Sequence, residues 1–77
     1  MLTPPRILDH NYLEARRDLL EVAALLDRYD AAVARVDTPV KEDARLDVLR
    51  RALAQLADSN APSGERTAAL LELFSEV

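Results

Sequence analysis

The segment LDHNYLEARRDLLEVAALLDRYDAAVARV, Leu8 to Val36, decides the fold. Taken at every third and fourth position it reads Leu8, Tyr12, Ala15, Leu19, Val22, Leu26, Tyr29, Val33 and Val36, all apolar or aromatic. Steps of four and three alternate without a break, the repeat of a helix that packs one stripe against other helices. Neither Pro nor Gly interrupts the segment, and no charged side chain falls on the stripe. The spacing predicts one long helix over about residues 10–37.

The middle of this helix is apolar beyond the stripe. Leu19-Leu20-Glu21-Val22-Ala23-Ala24-Leu25-Leu26 holds a single charge, and Leu20 and Leu25 flank the stripe on opposite sides. A helix apolar over so much of its circumference needs cover on more than one side. Leu19, Leu20, Val22, Leu25 and Leu26 are therefore the expected interface. A homodimer is the expected assembly, symmetric pairs being the commonest solution. The solvent face carries Glu14, Arg17, Glu21 and Arg28, with Arg17 within helical reach of Glu14 and Glu21.

Upstream, Pro4 and Pro5 lack amide donors and bias the residues before them away from helix. Residues 1–8 are thus expected to form an extended arm. The helix would start between Asp9 and Asn11, with Asp9 as cap or with Asn11 and Glu14 at the capping-box spacing. Downstream, Asp37-Thr38-Pro39 breaks the helix. A second helix, about residues 40–58, begins either with Thr38 as cap and Pro39 in the first turn, or with Asp43 as cap. Its apolar stripe reads Leu46, Leu49, Leu53 and Leu56, with Ala52 and Ala57 alongside, and Asp47 and Arg51 form an i,i+4 pair.

Asp58-Ser59-Asn60-Ala61-Pro62-Ser63-Gly64 is made of turn formers and ends that helix. A third helix follows, about residues 63–76, with Ser63 as cap and Glu65 favourably placed in its first turn. Leu70, Leu71, Phe74 and Val77 form its apolar face with Leu73 adjacent, and Phe74 is the expected core anchor. The fold class is all-α: a single domain over residues 9–77, an antiparallel three-helix bundle with a long first helix, paired into a helical dimer.

Composition narrows the function. The chain has 77 residues, one Gly, one His, no Cys and a net charge of −4. A core of this size adds only about 3–5 kcal/mol of net stability, and small chains commonly add a disulfide, a metal or a partner. Without Cys the first is excluded, and so are thiolate metal sites. The lone His10 has Ile7 three residues before it, so the Glu-x-x-His pair of carboxylate-bridged metal bundles is absent. Beside Glu14, one helical turn on, His10 reads as a capping or surface group. Ser59, Ser63 and Ser75 have no histidine in their context, and one glycine cannot build a phosphate loop. No metal, no cofactor and no enzymatic activity are expected.

The negative charge repels phosphate backbones. Arg16-Arg17 and Arg50-Arg51 are flanked by Glu14, Asp18 and Asp47 and lack a set of stacking aromatics, so nucleic-acid binding is not expected. No apolar run approaches the roughly 20 residues of a membrane span, and Met1-Leu2-Thr3-Pro4-Pro5-Arg6 lacks the order of a secretion signal. A cytoplasmic location is the expectation.

One polar constellation stands out. Asp27, Arg28 and Asp30 have no opposite charge three or four residues away on either side. Such charges are expected to pair with another helix, and Arg50 and Arg51, or Arg45, are the partners in prospect. The functional alternative is a small polar pocket near Asp27 and Arg28.

Two resemblances bear on this. The segments Tyr12-Leu13-Glu14-Ala15-Arg16 and Leu25-Leu26-Asp27-Arg28-Tyr29-Asp30, and the later Asp43-Ala44-Arg45-Leu46, resemble a family of small uncharacterised all-helical proteins of bacteria, which implies no activity. The architecture is similar to that of helical chorismate mutases, which implies cations from both chains converging on a dicarboxylate. Here the one lysine, Lys41, lies near the helix break, and the family's Arg, Lys, Glu and Gln pattern does not align at its usual spacing. The favoured expectation is an interaction or adaptor module that self-associates through its first helix and binds a further protein. The alternative is a small dimeric enzyme or ligand-binding protein.

Overall fold

The computed structural model describes residues 2–60 and 64–77. These form three α-helices and no strand: α1 (Pro4–Arg35), α2 (Ala44–Ala57) and α3 (Arg66–Phe74). The chain divides into two compact units, Met1–Val40 and Lys41–Val77. Each unit is described by itself.

The first unit is α1, which begins five residues or more before the expected start at Asp9 to Asn11. Residues 4–8 are helical, not an extended arm. Thr3 is the cap: its backbone is extended, its Oγ1 accepts from the Arg6 amide at 3.4 Å, and its carbonyl accepts from the Ile7 amide at 3.0 Å. Pro4 and Pro5 occupy the first helical positions, where an amide would have no intrahelical acceptor. The prolines thus open the helix instead of delaying it. Asn11 is not a cap; its Nδ2 donates to the Ile7 carbonyl at 2.9 Å, one turn back. Arg17 pairs with the adjacent Asp18 at 3.4 Å, not with Glu14 or Glu21. The helix ends at Arg35, and Val36 is already extended. Its 32 residues make a rod about 48 Å long at 1.5 Å per residue.

In the second unit α2 takes the later of its two possible starts. Asp43 is the cap, and its Oδ1 accepts from the Arg45 amide at 2.9 Å. The Arg45 guanidinium folds back on the same carboxylate, with Nε 3.0 Å from Oδ1 and Nη2 2.7 Å from Oδ2. The guanidinium bonds first, and then the amide, hold the Asp43 carboxyl down from 3.8 to about 2. Its native value lies below its unfolded one, so the stabilisation is complete above about pH 4. It is lost as pH falls through about 2. Asp43→Ala should remove this acid-dependent loss of α2 helicity, read from the Arg45 and Leu46 amide signals from about pH 5 down to about pH 1, below both the unfolded and the native value.

α3 begins at Arg66. The expected Ser63 cap lies outside the described residues. Glu65 stands at the cap position and makes no side-chain cap bond. Gly64 has φ +83, a left-handed backbone that other residues adopt at a cost, so its role is in the loop before α3 and not in the helix.

Three residues form the core of this unit: Val48, 1% exposed, Ala52, and Leu73, 8% exposed, with Leu70 packed against them. This corrects the expected faces. On α2, Val48 and Ala52 are one turn apart and lead the contact; Leu46, Leu49 and Leu53 are half-buried at its sides, and Leu56 is exposed. On α3, Leu73 is the anchor, whereas Phe74 is 40% exposed, Leu71 67% exposed and Val77 also exposed. The reason is size. A helix as short as α3 covers a narrow strip of α2, and the small Ala52 lets Leu73 come close.

Candidate functional site

Within its own unit α1 has no buried residue. Its stripe falls into heptads with Tyr12, Leu19, Leu26 and Val33 at one core position and Leu8, Ala15, Val22, Tyr29 and Val36 at the other. Val22, Leu26 and Tyr29 are half-buried, while Leu19, Leu20 and Leu25 are 59%, 55% and 42% exposed. All five expected interface residues, Leu19, Leu20, Val22, Leu25 and Leu26, lie on two successive turns of one continuous helix. Leu25 borders the stripe directly. Leu20 lies one position further round on the other side.

The residues of the expected polar site belong to two units, each described by itself. Asp27, Arg28 and Asp30 are exposed on α1, whereas Arg50 and Arg51 are exposed on α2. Arg51 is occupied within its own unit. Its Nε meets Asp47 Oδ2 at 2.9 Å, the i,i+4 pair that the spacing predicts. Its two terminal nitrogens bond both oxygens of Glu76, at 2.7 and 3.2 Å. These bonds hold the Glu76 carboxyl below its ordinary value. The two-point contact clamps the turn after α3 to α2, and no local spacing announces it, because its partners are 25 residues apart.

Because the clamp needs a planar fork, Arg51→Lys should lower the thermal midpoint of the α2–α3 unit nearly as much as Arg51→Ala. Equal midpoints for wild type and Arg51→Ala would show that the clamp contributes nothing. Glu76→Gln should give a smaller loss, since it keeps an acceptor.

Two shallow concavities lie on the second unit. One, of about 340 Å³, is lined by residues from the end of α2 and the start of α3, among them Leu56, Asp58, Glu65, Arg66, Ala69 and Leu70. The other, of about 330 Å³, adjoins Arg51, Gln55 and Leu73. Asp27, Arg28 and Asp30 line neither. Among the described residues no three His, Asp or Glu side chains converge as a metal-binding set, and no helix is long and apolar enough to cross a membrane. Among the described residues lining the two concavities there is no Ser, Thr, Lys or His.

No protein-family model matches the chain, and no curated protein or solved structure matches it at a significant level.

Proposed function

We propose that this protein is an all-α interaction module of the cytoplasm. It self-associates as a homodimer through α1 and serves as an accessory subunit or adaptor to a further protein. The observation that carries this reading is the apolar stripe Leu8 to Val33, eight positions set on a helix with no buried residue of its own. In proteins most helical stability comes from packing an amphipathic face rather than from propensity, and the stripe is such a face. A second copy offers the same stripe, and a symmetric pair closes on itself.

Sedimentation equilibrium from micromolar to millimolar concentration tests this. A mass twice that of the 8.6 kDa chain, with dissociation on dilution, is the expected result. A monomer across the whole range overturns the proposal.

A further inference from the structure

We infer that the partner of α1 is a second α1 running antiparallel, in register about Ala24, with Arg16 of each copy facing Asp30 of the other. This rests on the self-association proposed above and specifies its geometry.

Charges beside the stripe select the direction. In the heptad frame Asp9, Arg16, Ala23, Asp30 and Asp37 border one side of the stripe, and Asn11, Asp18, Leu25 and Ala32 border the other. A parallel pair would bring the two borders together, setting Arg16 beside Asn11 and Asp30 beside Leu25, with no attraction between charges. An antiparallel pair brings each border against itself. In register about Ala24, Arg16 then meets Asp30 of the second copy, and symmetry makes the contact twice. Both side chains are exposed, and neither has an opposite charge three or four residues away on its own helix. The same register sets Leu25 against its own mate, which covers the exposed leucine beside the stripe.

Core volumes agree with the charges. Antiparallel layers about Ala24 oppose Val22 to Leu26 and Leu19 to Tyr29. Further out they oppose Ala15 to Val33, so a small residue meets a larger one. A parallel pair would stack Ala15 on Ala15 and Tyr29 on Tyr29, leaving a void in one layer and crowding in another. Sliding the antiparallel pair by one heptad toward the N-terminus exchanges the Tyr12–Val36 layer, whose Val36 lies just beyond α1, for a Leu8–Val33 layer, but it replaces the Arg16–Asp30 attraction by Asp9 against Asp30. Sliding it the other way removes Tyr12 and Ala15 from the contact. The like-charged pair in the favoured register, Asp9 with Asp37, falls at the end, where Asp37 is already beyond the last helical residue Arg35.

Charge exchange and a distance test it. Arg16→Glu and Asp30→Arg should each weaken self-association roughly tenfold at low salt, because two attractions become two repulsions. The double exchange Arg16→Glu with Asp30→Arg should restore it. The chain has no cysteine, so Glu14→Cys provides one spin-label site on the outer face. Antiparallel pairing in this register separates the two labels by about 30 Å along the axis at 1.5 Å per residue, whereas parallel pairing sets them side by side. A dimer with adjacent labels, or one that the double exchange fails to restore, overturns the inference and leaves self-association standing. A wild-type monomer overturns both. A monomer in which Arg16→Glu shifts the Val48 and Leu73 methyl signals assigns the stripe to the chain's own α2–α3 unit.

Discussion

Leu73→Ala should unfold the Lys41–Val77 unit. Leu73 is the one buried α3 side chain in a core completed by Val48 and Ala52, with Leu70 packed at its edge. Truncating a buried leucine costs about 2–5 kcal/mol, from the lost transfer free energy and the cavity left behind. A unit below about 40 residues without disulfide or metal has little stability in reserve. The loss therefore matches or exceeds what holds α3 on α2. Leu71→Ala, one turn face away at 67% exposure, should change stability by less than about 0.5 kcal/mol. Because α1 dominates the helical signal, the Val48 methyl resonances are the measurement of choice: their dispersion should collapse in Leu73→Ala and survive in Leu71→Ala. Equal effects of the two would remove Leu73 from its place as anchor.

Leu25→Glu should weaken self-association about a hundredfold. Pairing covers the 42% of each Leu25 that is still exposed, a corresponding share of the about 1.5–3 kcal/mol that full burial of a leucine contributes, so two of them amount to about tenfold or more in the dissociation constant from burial alone. The new carboxylates would also lose water at the border of the stripe. Glu21→Lys alters charge on the outer face of the same turn and should leave the constant within about threefold. Sedimentation of the two variants beside wild type reads this directly. If Glu21→Lys proves as damaging as Leu25→Glu, the interface lies on a different face of α1.

The long helix was legible because its evidence is local. Eight apolar positions in unbroken register, with neither Pro nor Gly among them, leave one secondary structure available from Leu8 to Arg35. Asp43 as a cap and the Asp47–Arg51 pair are local in the same sense, and both were within reach of residue spacing. The start of α1 was misplaced because proline has two meanings. It breaks a helix from inside and opens one from its first turn, and the Thr3 cap that distinguishes these is visible in backbone geometry.

Residue order in this chain settles that it is helical, where the apolar stripe of α1 runs, and which chemistries lack their residues. It left open which leucine of α3 is the anchor. Leu70, Leu71, Leu73 and Phe74 fall within two turns of one short helix, and hydropathy ranks them nearly alike. Packing against Val48 and Ala52 chose Leu73, because the facing surface of α2 is narrow and small at that point. The Arg51–Glu76 clamp has the same origin. Its two groups are remote in the chain, and folding of α3 back onto α2 brings them within hydrogen-bonding distance.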